Sequence, residues 1–171
     1  AGIRAVMITG DHPLTAAAIG KQVGLTGEVI TGQDLDKYDE EEMKNVVKKY
    51  NIYARTSSTH KVIILNALQA NGEIVAMTGD GVNDAPAVKK ADIGVAMSLK
   101  GTDVTRDTAS MVLTDDNFSS IVAAIKHGRI VYDNIKKFIE YLLSANTAEV
   151  GVILFALLLG IPLPLVPLQL L

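Results

Sequence analysis

The sequence predicts an α/β fold, in which a mostly parallel sheet is covered by helices on both faces and is followed by a long apolar helix. Three observations carry that prediction. Short apolar runs at 5–8, 52–54, 74–77, 93–97 and 111–113 alternate with segments of helical pattern, the order expected of parallel strands joined by crossover helices. The first and third of these runs end in loops rich in Thr, Gly and Asp. After Tyr141 the only ionisable side chain as far as Leu171 is Glu149, and such a stretch exceeds the ~20 apolar residues that a helix needs to cross a bilayer.

A chain of 171 residues fits one domain, or one small domain with an appendage. Its formal net charge of -3 gives no electrostatic reason to expect nucleic-acid binding. It has no cysteine, which excludes a disulfide framework and a thiolate zinc site. The amino end, Ala-Gly-Ile-Arg, lacks an initiator Met and a signal-like core, and reads as a chain entered midway.

Taken in order, the run at 5–8 is a buried strand leading into Thr9-Gly10-Asp11-His12-Pro13. A helix is expected from about Leu14 to Val23, stopped by Gly24. Val29-Ile30 is a short strand. The charge-rich stretch 33–49 opens on acidic residues and closes on Lys48-Lys49, an order that complements a helix dipole, and its charges read as a solvated face. Ile52-Tyr53-Ala54 is the next strand, and the hydroxyls of 56–59 are placed to cap the helix after it.

The central stretch is Met77-Thr78-Gly79-Asp80-Gly81-Val82-Asn83-Asp84-Ala85-Pro86. Its glycines let the backbone turn sharply after the strand, and Pro86 suits the first turn of a helix. Asp80, Asn83 and Asp84 then stand together at the carboxyl end of a strand, where ligands of open α/β sheets bind. Hard oxygen donors of this kind suit magnesium, which is held by one or two carboxylates plus substrate phosphate. An ordinary polar loop would also use Gly, Asn and Asp, but the paired aspartates behind Thr-Gly favour a site. Thr9 to Asp11, Arg55 to Lys61 and Asp80 to Asp84 all follow strands, so one site can receive all three segments.

Strands at 93–97 and 111–113 complete the sheet. Asn117 can cap a helix through Ile121 and Ile125 that Gly128 is expected to break or bend. The helical pattern resumes at Tyr132 and runs into the apolar tail, which Gly160 and the prolines at 162, 164 and 167 should end. A polar helix that turns apolar suggests a stalk entering a membrane. Asn146 and Glu149 lie three apart on one helix face, and a carboxylate at membrane depth marks a functional site by default. The blander reading of Glu149 is a side chain snorkelling at the membrane edge.

Together, the stretches from Ile8-Thr9-Gly10-Asp11 through 77–87 to Leu113-Thr114-Asp115-Asp116-Asn117-Phe118 closely resemble the P-type cation-transporting ATPases. The stretch 115–118 and the helix from Tyr132 to Asn146 are similar to the group that includes calcium and sodium/potassium pumps. The resemblance implies a partial Rossmann-like parallel sheet of the haloacid-dehalogenase type. It assigns 1–116 to the carboxyl part of the phosphorylation domain, 117–140 to a stalk, and 141–171 to a transmembrane segment and the start of the next, with Leu168-Gln169-Leu170-Leu171 entering it. It further implies a multi-pass membrane protein whose residues 1–140 lie on the cytoplasmic side.

Site roles follow from the same resemblance. Thr9 and Gly10 match the family's phosphoryl-holding position, and Asp11 and Arg55 match positions near the nucleotide. Lys61 matches the lysine that neutralises phosphoryl oxygens. Asp80 matches a magnesium ligand, while Asn83 and Asp84 match residues that orient phosphate and water; Asp84 is also assigned to the metal. Asn146 and Glu149 match ion-site positions in calcium pumps and are also found in sodium/potassium pumps, so the pair does not fix the ion; calcium is the first choice. The implied cofactors are Mg2+ and ATP. The implied partners are the remainder of the pump, the transported cation and the lipid bilayer.

Two departures from the family pattern stand out. No Asp-Lys-Thr-Gly-Thr nucleophile is present, so the chain alone is expected to be inactive. Ser98-Leu99-Lys100 also occupies a loop that is richer in glycine in the family. The rival readings are a soluble phosphatase of the same superfamily and a membrane-anchored, non-catalytic module that binds phosphate or a partner.

Overall fold

The computed structural model describes residues 2–162. The expectations for Pro164, Pro167 and Leu168 to Leu171 concern residues outside that range. The chain divides into two units, one ending at Asn117 and one beginning at Phe118, and each is described by itself.

The first unit contains six short strands, every pair of which is parallel. They form two three-stranded sheets rather than the single sheet expected. The first has the order β1 (Met7–Ile8), β3 (Ile52–Ala54), β2 (Val29–Thr31), and the second β4 (Ala76–Gly79), β5 (Ile93–Met97), β6 (Met111–Leu113). Among the described residues no ladder joins β1 to β4, so each sheet ends on an unpaired edge there.

The first sheet is covered on both faces because β3 alternates. Tyr53 points into a core with Ile30, Met43, Val47, Ile64 and Leu68, while Ile52 and Ala54 pack with Ala16 on the opposite face. Ala16 belongs to α1 (Pro13–Gln22), whose C-cap Val23 precedes Gly24 at a φ of +78°, the left-handed conformation in which a glycine is least strained. Burial pushes the Tyr53 phenol up to about 12, and its hydroxyl donates to the Tyr50 carbonyl at 3.0 Å.

The opposite core face comes from α3 (Glu40–Lys49) and α4 (Ser58–Ala70). Both begin in a capping box, Asp39 with Glu42 and Ser57 with His60, which satisfies amide donors that the first helical turn leaves open. A short helix absent from the sequence reading, α2 (Gly32–Leu35), starts in a third box between Thr31 and Asp34.

The second sheet is held by two glycines. A Cβ on Gly79 would lie 2.4 Å from the Asp84 Cβ, and one on Gly94 would lie 2.3 Å from the Val88 carbonyl oxygen. Only bare backbone at both positions lets α5 (Ala85–Lys90) press onto β4 and β5. The strand expected at 74–77 is displaced to Ala76–Gly79 because Ile74 is exposed and the Val75 N–H turns aside to the Asp92 carboxylate at 2.9 Å. After β5 come α6 (Asp103–Thr108) and β6.

The second unit is α7 (Phe118–Leu159), a single helix of 42 residues. It is long and apolar enough to cross a membrane, by length and composition. The break expected at Gly128 does not occur. Glycine weakens a helix by ~1 kcal/mol but retains its N–H, so the ladder runs through. Gly160, at a φ of +66°, follows the last helical residue.

Asp34 makes one cap measurable. Hydrogen bonds from the Lys37 ammonium and the Thr31 hydroxyl hold its carboxyl at about 2, below the ordinary 3.8. A depressed carboxylate stabilises the fold above its unfolded value, and that contribution is lost as pH falls through the folded one. Asp34→Asn is therefore expected to flatten the decline in melting temperature between about pH 4 and pH 2, while an unchanged pH profile would remove Asp34 as its source.

Candidate functional site

The carboxyl ends of β1, β3 and β4 meet at a cavity of about 460 Å³ lined by Gly10, Thr56, Ser57, Ser58, Lys61, Asp80, Gly81, Asn83 and Asp84. Each side chain arrives by a local rule. Gly10 follows β1, where the Thr9 N–H donates to the Tyr53 carbonyl and the Thr56 N–H returns to the Thr9 carbonyl at 3.1 Å. The Thr56 hydroxyl donates to that carbonyl at 2.9 Å. These bonds stitch the ends of β1 and β3 together.

Ser57 caps α4, so Lys61 leaves the first turn of that helix at the cavity wall. The helix amino end adds a partial positive charge of its own. Asp80 and Asn83 lie on the turn after β4, and Asp84 is the N-cap residue of α5.

Within the cavity the Lys61 ammonium pairs with Asp84 Oδ1, and the two side chains are 15% and 11% exposed. Asp84 Oδ2 accepts from the Gly81 N–H at 3.3 Å, so both of its oxygens are engaged. Asp80, in contrast, is exposed at the cavity.

Of the expected residues, Gly10, Lys61, Asp80, Asn83 and Asp84 are brought together here. Thr9 and Asp11 bracket Gly10, but the Thr9 hydroxyl donates to the Asp11 carboxylate at 2.9 Å. Arg55 holds Asp11 only through its backbone N–H, at 3.0 Å, and its side chain is exposed outside the lining. Asn146 and Glu149 belong to α7, where Asn146 is exposed and Glu149 half-buried. Sequence reasoning gave the hydroxyls at 56–59 a capping role only. The threonine beside a residue of positive φ, Arg55 at +53°, also closes the site.

The donor set fits magnesium. The lining offers oxygen and no sulfur, and Asp80 is an exposed carboxylate in the same cavity as a lysine. Magnesium takes one or two protein carboxylates and completes its shell with phosphate and water. Asp80 would be the first ligand, with Asp84 reserved for Lys61 in this arrangement. A lysine, hydroxyls and a helix amino end in the same lining suit a phosphoryl group.

Comparison with known proteins shows what the chain is similar to. Residues 1–92 match the family described as haloacid dehalogenase-like hydrolases. The whole chain is 55% identical to a calcium-transporting ATPase of Bacillus subtilis over 174 aligned positions, covering 20% of that protein. It is 43% identical over 96% of its length to the sodium/potassium-transporting ATPase subunit alpha-4 of Rattus norvegicus, covering 19% of it. The chain thus spans about a fifth of the length of these relatives. Among solved structures, the catalytic domain of the CPx-ATPase CopB-B is similar with a TM-score of 0.56 and 27% identity, over 73% of this chain and 40% of that one.

Lys61→Met leaves a nearly buried carboxylate unpaired and should cost about 3 kcal/mol in urea unfolding. Adding Asp84→Asn, which removes the orphaned charge, should restore more than half of that loss. Equal stability of the single and double variants would show that the pair contributes nothing of this kind.

Proposed function

Because the chain belongs to the haloacid dehalogenase-like hydrolase family and is similar along its whole length to a calcium-transporting ATPase, we propose that it supplies the magnesium- and phosphate-binding half of the phosphorylation site of an ATP-driven cation pump. The observation that carries this reading is the single cavity in which Lys61, Asp84, Asp80, Asn83, Gly10 and Thr56 converge.

Phosphoryl transfer demands positioning and charge stabilisation more than covalent chemistry from the protein. Lys61 neutralises phosphoryl oxygens, and Asp84 aims it by holding the ammonium to the head of α5. Asn83 and the backbone around Gly10 orient the phosphoryl group. Asp80 holds Mg2+, which when bound offsets negative charge on the phosphates. Asp11 and Arg55 border the nucleotide.

The nucleophilic aspartate comes from outside these 171 residues. The unpaired edges of β1 and β4 support this reading. A strand laid parallel between them would bring its carboxyl end to the cavity that both strands face.

In the same reading, residues 1–116 are the carboxyl part of the phosphorylation domain and 117–140 the stalk, all on the cytoplasmic side. Residues 141–171 enter a multi-pass membrane region. Asn146 and Glu149 offer oxygens to the transported cation. Calcium is the ion proposed, supported by relatives named as calcium-transporting ATPases at 55% and 50% identity over the whole chain.

The test uses the complete pump. Glu149→Gln is expected to abolish ion-dependent phosphorylation by ATP while leaving phosphorylation from inorganic phosphate, and Lys61→Ala to suppress both. Unchanged calcium dependence in Glu149→Gln would remove Glu149 from the ion site. Full phosphorylation in Lys61→Ala would overturn the assignment of the cavity.

A further inference from the structure

The turn that carries Asp80 is not held by its own residues alone. The Thr102 N–H donates to the Asp80 carbonyl at 3.1 Å, and the Thr105 hydroxyl donates to the Gly81 carbonyl at 3.0 Å. Thr105 is fully buried, and its hydroxyl lies 2.8 Å from that of Thr102. The two carbonyls that follow the Asp80 Cα, its own and that of Gly81, are therefore held from the start of α6.

The start of α6 is fixed in turn by the loop 98–101, which carries Ser98-Leu99-Lys100. Three consecutive N–H groups of that loop, from Ser98, Leu99 and Lys100, converge on the carboxylate of Asp116 at 2.6, 3.0 and 2.7 Å. Three amides aimed at one point form an anion-binding concavity, and here a side chain of the same unit fills it. Arg106 closes the loop from the other side, donating to the Ser98 and Gly101 carbonyls at 2.5 and 3.1 Å. Gly101 admits no side chain, since a Cβ would lie 1.9 Å from the Met97 carbonyl oxygen.

Asp116 adopts a φ of +49° to reach this position, a conformation that a non-glycine residue keeps only when its surroundings require it. Burial pushes its carboxyl up, but the Leu99, Lys100 and Ser98 amides and the Lys100 charge outweigh burial and hold it below the ordinary value. It is thus an anion fastened to backbone donors, two residues before α7 begins.

We propose that Asp116 is a positioning residue for the candidate metal ligand: by ordering the loop 98–101 it sets Thr102 and Thr105, which hold the turn that aims Asp80. The proposal rests on the reading of Asp80 as the magnesium ligand, and it adds a residue that touches neither metal nor phosphate. Asp116→Asn keeps one acceptor oxygen, so the loop remains formed, but it places an amide NH2 where an acceptor is needed.

The test measures Mn2+ binding to the full 171-residue chain in detergent by electron paramagnetic resonance, together with hydrogen exchange of the Thr102 amide. Asp116→Asn is expected to weaken Mn2+ binding about tenfold, as loss of an outer-shell support does, and to speed Thr102 exchange. Asp80→Asn should weaken binding at least as much, without altering the loop. Asp34→Asn, whose hydrogen bonds run to Thr31 and Lys37 and not to the cavity lining or the loop 98–101, should alter neither and so controls for loss of stability.

If Asp80→Asn weakens binding and Asp116→Asn does not, the positioning role is overturned. If Asp80→Asn has no effect, the metal reading fails and the role toward a metal ligand is overturned with it; faster Thr102 exchange in Asp116→Asn then sustains only the hold of Asp116 on the turn, and unchanged exchange overturns that as well.

Discussion

Two parallel sheets, with no ladder between them among the described residues, place their carboxyl ends on one cavity, and the Lys61–Asp84 ion pair joins them there. Gln69 of α4 joins them further back by donating to the Lys90 carbonyl at 3.3 Å and the Asp92 carboxylate at 3.1 Å. Lys61 belongs to α4, which packs on the first sheet through Ile64, Ala67 and Leu68. Asp84 heads α5, which is pressed onto the second sheet through Gly79 and Gly94. Removing either charge would leave the other nearly buried and unpaired, which is far costlier than never burying the pair. The two sheets are thereby committed to one arrangement at the cavity mouth, and a pair of groups able to handle a phosphoryl anion is held ready there.

Much of this was legible from residue pattern. Strands β3, β5 and β6 fall where their apolar runs lie, because each run is bounded by turn residues and buried on at least one side. The convergence of Gly10, Lys61 and the 80–84 turn followed from a single rule, that loops after parallel strands gather at one edge. The capping box of α2 was also written in Thr31-Gly32-Gln33-Asp34, but a helix of four residues has too little periodicity to announce itself.

What could not be read depended on tertiary choices. The apolar run at 74–77 does not say that Val75 will give its N–H to Asp92, yet that bond moves β4 by two residues. The division into two sheets depends on what pairs with β1 and β4, which no local pattern encodes. Thr56 looks like any capping hydroxyl until β1 is seen beside β3. Asp116 sits in a recognisable stretch, but its grip on three amides of the loop 98–101 exists only once β5 and β6 are paired. Gly128, conversely, is a strong local signal that the surrounding helix overrides.

The central claim is that this chain holds the phosphate and metal side of a phosphorylation site whose nucleophile lies elsewhere. Acid-quenched labelling of the purified chain with radioactive ATP and magnesium tests it most directly. The account predicts no covalent label on the chain alone. A hydroxylamine-labile label would contradict it, because an aspartate within these residues would then be the nucleophile, and the roles given to Asp80 and Asp84 would have to be reassigned.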